Sequence, residues 1–306
     1  MKPANNAFEP FIKAGYEVVF VTGGSESWHE YGDYLRTLGV SQVYDMNSII
    51  DFFPQAKAFQ SAYGIPDEYL YKTIEKLLPT FKTPTLIITL TTSNHPPEII
   101  PTHYKAYPLE NSTALKGYLE DKHFPLVPLA FQYSNDSFGR FLTWLKHSSF
   151  ANNTIVVATG DHRMRSLSSL GVQKSFMDFA TPFYLYVPKP YLTHTQAHFD
   201  PQTLGSHKDI FPTLFALSLS NAKYLANGGV SLLHSNIPCN FAYNESLQAD
   251  CLGVYMGGGV MHKWIAPLQI STTPTPAPKE KKEKFESYKD LQWWQIRART
   301  KGVVSP

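Results

Sequence analysis

Apolar positions along the chain recur in two spacings that alternate from one segment to the next. Short runs rich in β-branched residues are typical of buried strands; they lie at 15–22, 84–90 and 154–159. Other segments place apolar residues three or four positions apart, which predicts amphipathic helices; they lie at 28–40, 65–81 and 128–150.

Strands that alternate with helices predict an α/β fold, with a mainly parallel central sheet and helices on both faces. The run "TPFYLYVPKP" (181–190) predicts a further strand, and "SHKDIFPTLFALSLS" predicts a helix that begins near Ser206. Ligands bind such sheets at the carboxyl ends of the strands. We therefore expect the site at the ends of strands 15–22, 84–90 and 154–159.

The composition changes at Thr272, where "TTPTPAPKEKKEKFESYKD" is rich first in proline and then in charge. This pattern is typical of a linker or a solvated tail. We predict a domain over residues 1–270 and a linker with a C-terminal tail over 271–306. Within the tail, "LQWWQIRART" has two tryptophans and predicts a short helix that docks on the domain or on a partner.

The overall charge disfavours some classes of binding protein. The 27 Lys and Arg against 25 Asp and Glu give a net charge of +2, which does not indicate a nucleic-acid binder or a polybasic membrane anchor.

The chain contains no signal-peptide pattern and no apolar run near the roughly 18 residues of a spanning helix. Cys239 and Cys251 are too few for a cysteine zinc site, and one disulfide or two free thiols are both open.

The stretch "ATGDHRMRSL" (158–167) places charged side chains where a predicted buried strand ends. Asp161 and His162 together suit a divalent cation, although a metal needs about four donors and two protein ligands do not complete a site. Arg165, with Arg163 as a second candidate, matches an oxyanion beside that metal. The pattern indicates phosphate or sulfate ester chemistry, and the structural alternative for the Asp-His pair is a helix cap or a surface loop.

Polar clusters also follow the other two predicted strands. One runs from Thr91 to His95, another from Ser25 to Trp28, and a fourth candidate, "GSHKD" (205–209), precedes a helix. Each has a structural interpretation beside the functional one: His95 caps a loop, His207 begins a helix, and Trp28 packs against the core.

Several segments together resemble the sulfatase-like branch of the alkaline phosphatase superfamily, specifically phosphoglycerol transferases of the lipoteichoic acid synthase type. The resemblance is carried, in order and spacing, by "LTTSNHPPEIIP" (90–101), "YSNDSFGRFLTWLKHSSFANNTIVVATGDH" (133–162) and "GSHKDIFPTLFAL" (205–217). It implies an alkaline phosphatase/sulfatase-like fold. It also implies that Asp161 and His162 bind the catalytic divalent metal, which in the family is manganese, magnesium or zinc.

The same resemblance implies substrate contacts. His95 would bind the phosphoryl group, and Trp28 would line the glycerol-phosphate pocket. His207 lies in the matching polar pair before a helix, and Arg165 is our own candidate for a second phosphate contact. Relatives carry an arginine in the tryptophan loop, whereas here His29 and Glu30 follow Trp28.

The family's threonine nucleophile and an acidic metal ligand precede the strand that corresponds to 15–22, and a membrane region lies further upstream. We therefore assign no catalytic nucleophile in this chain and expect it upstream of Met1; Thr91 and Thr92 are not at its place in the family order. Three alternatives follow: one part of a split or truncated enzyme, a degenerate binding domain, or a hydrolase that uses a metal-bound water.

By resemblance, the expected function is metal-dependent transfer or hydrolysis at a phosphate or sulfate ester. The expected reaction is phosphoglycerol or phosphoethanolamine transfer to a cell-envelope polymer or lipid, in the periplasm or on the extracytoplasmic face of the membrane. The expected partners are a phosphorylated lipid or glycan substrate and an upstream-encoded membrane half of the same enzyme. The alternative is a catalytically inactive sulfatase-like domain that binds a phosphorylated ligand or a partner chain.

Overall fold

The computed structural model describes residues 6–98, 100–108, 118–119, 125–165, 167–195, 197–200, 202–234, 237, 239–244 and 246–300, with side chains as far as residue 294. The α-helices are α1 (Glu9–Lys13), α2 (Tyr31–Leu38), α3 (Met46–Phe52), α4 (Asp67–Leu77), α5 (Leu126–His147), α6 (Lys189–Thr195), α7 (Ile210–Ser218) and α8 (Lys279–Thr300). The strands are β1 (Glu17–Thr22), β2 (Gln42–Tyr44), β3 (Thr85–Leu90), β4 (Val156–Thr159), β5 (Phe183–Tyr186), β6 (Ala242–Tyr243), β7 (Gln248–Ala249), β8 (Gly253–Tyr255), β9 (Val260–Ala266), β10 (Gln269–Ile270) and β11 (Thr275–Pro276).

Strand β1 is the centre of a three-stranded parallel sheet in the order β2, β1, β3. Successive side chains of a strand point to opposite faces, so the apolar residues of β1 pack into two hydrophobic clusters, one on each face of the sheet. Val19 and Val21 pack in one cluster with residues of α3, α4 and α5, whereas Val18 and Phe20 pack in the other with residues of α2 and α7. The predicted α/β fold with helices on both faces is confirmed.

Strand β4, which precedes Asp161 and His162, does not pair within the parallel sheet as predicted. Strand β4 runs antiparallel to β5, and among the described residues neither strand pairs with the parallel sheet. The segment between β4 and β5 contains only a 3-10 helix, Val172–Asp178, and a parallel return would need a longer helical crossover. Val156 of β4 and Tyr186 of β5 still pack on the α4 and α5 side of the core.

A second, antiparallel sheet follows in the C-terminal third, where the sequence showed no clear pattern. It runs in the order β10, β9, β8, β7, β6, and β11 pairs with β9. Cys239 and Cys251 form a disulfide, which settles the choice that the sequence left open. In the ranges described, no helix combines the length and the apolar character needed to cross a membrane.

The segment interpreted as a linker and solvated tail is structured over much of its length. Thr275 and Pro276 pair with β9, and α8 packs on the second sheet through Phe285 and Tyr288, which are 2% and 8% exposed. These rings are three positions apart, so they lie on one face of a helix whose first three turns are otherwise mostly charged. Two aromatic residues in a polar segment do not establish an apolar spacing from which burial could be predicted. Residues 301–306 lie outside the described residues, and the domain boundary at 270 stays a prediction.

Replacing Phe285 with Ala is expected to lower the free energy of unfolding by about 3–4 kcal/mol, because the ring fills a cluster with Phe241, Tyr255 and Met261. Phe131→Ala is the control, since Phe131 is also helical but 58% exposed. Chemical denaturation measures both variants. Similar small losses for the two would show that α8 is not part of the folded unit.

Candidate active site

Three loops meet where the parallel strands end. Thr22 of β1 pairs with Leu90 of β3, so the loops that follow the two strands leave the same edge of the sheet. The backbone N–H of Ile65 donates to Gly23 O at 2.8 Å, and Thr92 Oγ1 donates to Ile65 O at 3.0 Å. A Cβ at Gly23 would lie 2.5 Å from Ile65 O, so only glycine permits this approach.

The carboxylate of Asp67, at the start of α4, anchors the loop that follows β3. Its Oδ1 accepts the backbone N–H groups of Thr92 (2.8 Å) and Ser93 (3.1 Å), and its Oδ2 accepts Ser134 Oγ at 2.6 Å. Asp67 is fully buried, and burial raises the pKa of its carboxyl group, while these hydrogen bonds act in the opposite direction. The loop is therefore tied to both α4 and α5 before it reaches His95.

The imidazole of His95 lies at the surface end of this loop. The ring of Tyr63 lies over it, with ring centroids 3.7 Å apart. His95 Nδ1 donates to Pro96 O at 2.8 Å, so Nε2 keeps its lone pair when the ring is neutral. His95 is exposed, and its orientation leaves Nε2 for an external ligand.

Trp28 lies in the loop after β1 and is 62% exposed, so it does not serve the core. The next two residues, His29 (φ 49°) and Glu30 (φ 57°), both adopt the left-handed region, which is strained for residues other than glycine. The loop is held by Glu26, whose carboxylate pairs with Arg36 at 2.6 Å and whose N–H donates to an oxygen of Asp45. Strain of this kind is concentrated at binding loops.

Asp161 and His162 follow β4 after Gly160 and lie at the surface, with side chains 80% and 54% exposed. His162 Nδ1 donates to Arg163 O at 2.8 Å, which fixes the neutral tautomer with a lone pair on Nε2. That Nε2 is 3.5 Å from Asp161 Oδ2. A carboxylate oxygen and an oriented imidazole nitrogen side by side fit the donor set of a divalent metal such as zinc or manganese.

His207 lies beside this pair. Its Nε2 donates to the carbonyl oxygen of Gly160, the residue before Asp161, at 2.9 Å. The position of His207 depends on Asp209, a buried carboxylate that accepts from Ser206 N, Val230 N and Lys208 Nζ at 2.7–2.9 Å. The structure therefore brings His207 to the Asp161 and His162 loop from a distant part of the sequence.

The two arginines of the loop have different surroundings. Arg163 pairs with Asp178 at 3.0 Å and donates to Ser168 O at 2.6 Å, so its guanidinium holds the loop together. Arg165 is exposed and makes no hydrogen bond or ion pair with any described residue. Of the two, Arg165 is therefore the arginine whose guanidinium has no partner among the described residues.

The predicted site residues form two groups. Asp161, His162 and His207 lie together, whereas His95 and Trp28 lie in the loops after β3 and β1; no hydrogen bond, ion pair or ring contact joins the groups within the described part of the chain. In the described part of the chain, one cluster contains three or more side chains of the kinds that bind metals: Cys239, Asp250 and Cys251. Its two cysteines are joined in a disulfide. Sequence analysis missed the anchoring residues Asp67 and Tyr63, and it noted Asp209 only as part of the candidate segment 205–209.

A profile of the sulfatase family, described as Sulfatase, matches residues 6–218, well over half of the 306 residues. The chain belongs to the sulfatase family. The matched range contains every candidate site residue: Trp28, His95, Asp161, His162, Arg165 and His207. The resemblance found in the sequence is confirmed for the family.

Phosphoglycerol transferase I of Xanthomonas campestris pv. campestris is 28% identical to this sulfatase-family chain over 155 residues. The alignment covers 48% of this chain and 20% of that protein, so the chain spans about a fifth of the length of the relative.

Two solved structures share the fold. The lipoteichoic acid synthase LtaP from Listeria monocytogenes aligns with a TM-score of 0.72 at 17% identity, over 97% of this chain and 73% of LtaP. An alkaline phosphatase superfamily protein from Vibrio parahaemolyticus aligns with a TM-score of 0.66 at 18% identity, over 97% of this chain and 68% of that protein. The alkaline phosphatase/sulfatase-like fold is confirmed.

Replacing Asp67 with Ala is expected to lower the free energy of unfolding by about 2–4 kcal/mol, because two backbone N–H groups lose their buried acceptor. Asp67→Asn is the matched control: its amide oxygen still accepts from Thr92 and Ser93, and its NH₂ group donates to Ser134. Denaturation at pH 7 compares the two, and equal losses would contradict the anchoring role.

The same pair of variants tests the raised pKa of Asp67. The folded state binds the proton of the Asp67 carboxyl group more tightly than the unfolded state does, so protonation of Asp67 stabilises the fold. This stabilisation is complete below the ordinary pKa of 3.8 and is lost as the pH rises through the raised pKa of the folded state. Wild type should lose more stability than Asp67→Asn as the pH rises above about 4. Identical pH profiles would show that the pKa of Asp67 is not raised.

Proposed function

We propose that this sulfatase-family chain acts in metal-dependent transfer or hydrolysis at a phosphate or sulfate ester, with phosphoglycerol transfer as the specific reaction. The observation that carries the proposal is the pair of Asp161 and His162, an exposed carboxylate beside an imidazole whose tautomer is fixed with Nε2 open. The similarity to a phosphoglycerol transferase of Xanthomonas campestris supports the choice of phosphoglycerol over sulfate.

Asp161 and His162 are the residues that would hold the metal, and the nitrogen donor favours zinc or manganese over magnesium. Such an ion would neutralise charge on a phosphoryl oxygen and lower the pKa of a bound hydroxyl group. The chain's own contribution is orientation: the hydrogen bond from His162 Nδ1 to Arg163 O fixes the ligating nitrogen, and the ion pair of Arg163 with Asp178 fixes the loop.

The remaining candidates would bind the substrate. Arg165 has a planar guanidinium that pairs with none of the residues the structure describes, so it suits two oxygens of a phosphate diester. His207 would contact the same group beside the metal, and His95 would offer Nε2 from the neighbouring loop. Trp28 would present its exposed ring to the glycerol or ethanolamine part of the headgroup.

We propose a phosphorylated lipid or glycan as the substrate and a cell-envelope polymer or lipid as the acceptor, in the periplasm or on the extracytoplasmic face of the membrane. The further metal donors and the nucleophile would come from an upstream-encoded half of the enzyme. In the described residues, β3 and β4 each pair along one edge only, and both pack on the same helical layer. An added strand could hydrogen bond there, which supports this partner.

A second candidate is a binding domain that retains the phosphate contacts without turnover. It is favoured by the observation that, in the described residues, no cluster of three or more metal-ligating side chains includes Asp161 and His162, and both are largely exposed. Hydrolysis of a chromogenic phosphodiester, with the chain alone and with the upstream half added, separates the two. Turnover that Asp161→Ala abolishes indicates an enzyme, whereas glycerol-phosphate binding without turnover in either mixture indicates a binding domain.

Replacing Asp161 with Ala is expected to weaken manganese or zinc binding by at least about tenfold, because a charged ligand is lost. Unfolding of the metal-free protein should barely change, since the carboxylate is 80% exposed. Asp33→Ala is the control, because Asp33 is an exposed carboxylate (87%) on α2. Calorimetry measures the metal affinity; an unchanged affinity, or an unfolded metal-free variant, would contradict the role as a ligand.

Replacing Arg165 with Lys is expected to weaken glycerol-phosphate binding in the presence of the metal by about tenfold or more, because lysine cannot make the two-point contact. Arg140→Lys is the control, since Arg140 is 63% exposed on α5 and forms an ion pair with Asp136. Calorimetric titration with glycerol phosphate measures both. Equal affinities for wild type and Arg165→Lys would exclude Arg165 from the phosphate site.

A further inference from the structure

A single covalent cross-link lies in the second sheet, outside the candidate active site. Cys239 precedes β6 and Cys251 follows β7, so their disulfide closes the open end of the hairpin that these two strands form. Each strand of this hairpin is only two residues long. So short a ladder holds its strands weakly, and the disulfide therefore adds a constraint that the ladder does not supply.

One end of the cross-link leads to His207. Asn240, the residue after Cys239, donates from Nδ2 to Asp209 Oδ2 at 3.1 Å. Its Oδ1 accepts from Lys208 Nζ at 2.9 Å. Lys208 and Asp209 follow His207 in the chain and form an ion pair whose side chains are 3% and 0% exposed. The amide group of Asn240 therefore supports the turn on which His207 lies.

The other end of the cross-link leads to a second support of the same site. Asp250, the residue before Cys251, accepts the Nε1–H of Trp264 on its backbone carbonyl oxygen at 2.8 Å. The ring of Trp264 packs edge-on against Phe176, with ring centroids 5.0 Å apart. Phe176 lies in the 3-10 helix that ends at Asp178, whose carboxylate holds the loop of the candidate metal ligands by an ion pair.

The two routes end at one loop. His207 hydrogen bonds to the backbone just before the Asp161 and His162 pair, and Asp178 forms its ion pair with the arginine just after it. The routes begin at residues that are chain neighbours of the two cysteines. The disulfide is therefore the point at which both supports of the Asp161 and His162 loop are joined.

Both cysteines are exposed, so a dithiol in solution can reach the bond. In the exchange the S–S bond breaks, each sulfur gains one electron and one proton, and the dithiol becomes a disulfide. We propose that the Cys239–Cys251 disulfide is a redox-sensitive clamp on the Asp161 and His162 loop, and that its reduction weakens metal binding there. The metal effect rests on the proposed role of this pair as ligands, whereas the effect on His207 does not.

Manganese calorimetry of the full chain tests the clamp before and after treatment with dithiothreitol. Cys239 and Cys251 are the two cysteines of the sequence, so the reductant acts on this bond alone. Reduction should weaken manganese binding by about tenfold, as the loss of groups that orient metal ligands does, and reoxidation should restore it. Manganese prefers oxygen and nitrogen donors, so the released thiols do not compete for it as they would for zinc.

Cys239→Ser with Cys251→Ser is the matched variant. Its manganese affinity should equal that of reduced wild type, and dithiothreitol should leave it unchanged. In the metal-free protein, ¹H–¹⁵N NMR should show that reduction shifts the Nε2–H resonance of His207, which is assigned with His207→Gln. Near-UV circular dichroism should stay native, which separates a loosened loop from an unfolded chain.

Asn240→Ala breaks one route and keeps the disulfide. It should shift the His207 resonance and weaken manganese binding, whereas Asn135→Ala, an exposed position on α5, should change neither. If reduction unfolds the chain, Asn240→Ala decides: an unchanged His207 resonance in this variant overturns the clamp.

Two failures are distinguishable. Equal manganese affinities and an unchanged His207 resonance in oxidised and reduced wild type would overturn the clamp and leave the proposed metal ligands standing. Absence of manganese binding by oxidised wild type would contradict the proposed metal ligands and the metal effect of the clamp together. The His207 resonance would then still show whether the disulfide holds this side of the loop.

Discussion

The buried carboxylate of Asp67 is the contact on which the arrangement of the loops depends. It accepts two backbone N–H groups of the loop after β3 and a hydroxyl group of α5, so one side chain fixes a strand end, a helix start and a second helix. A buried carboxylate is costly unless its oxygens are satisfied, and here the partners are the elements that carry His95. The fold thus holds the loop of the exposed His95 through a carboxylate that is buried at the start of α4.

The loop of Asp161 and His162 is held in a different way. The side chain of Arg163 pairs with Asp178, and the backbone carbonyl of Arg163 accepts from His162. His207 reaches the same loop through Gly160 O, and its own position depends on the buried Asp209. Both halves of the candidate site therefore follow one rule: exposed functional groups are oriented by buried or paired charges behind them.

Much of this could be predicted from the sequence. The apolar runs of β1 and β3 indicate strands, but only β1 is buried, since the residues of β3 range from half-buried to exposed. The Asp161 and His162 pair after a β-branched run indicates a position beyond a strand end. The pairing of β4 with β5 could not be predicted, because it depends on a return segment that lacks a crossover helix rather than on the strand's own residues. Asp67 resembles an ordinary acidic helix start, and its partners lie 25 and 67 positions away.

The C-terminal segment shows that amino-acid composition alone does not predict which residues are buried. A segment dense in Lys and Glu is typical of a solvated tail, yet Phe285 and Tyr288 are enough to bury one face of α8. Burial there depends on the pocket offered by Phe241 and Tyr255, which only the folded second sheet provides. Local propensity gives way to tertiary contacts at such positions.

The hydrogen bond from Nδ1 of His162 to Arg163 O leaves Nε2 open to a metal. Long-range ¹H–¹⁵N NMR of the histidine side chains tests it most directly, with His162→Gln for assignment. The structure predicts that neutral His162 carries its proton on Nδ1 and that zinc shifts the unprotonated Nε2 resonance, with a smaller shift in Asp161→Ala at the same zinc concentration. A proton on Nε2, or a resonance that zinc leaves unchanged, would exclude Nε2 of His162 as a metal ligand.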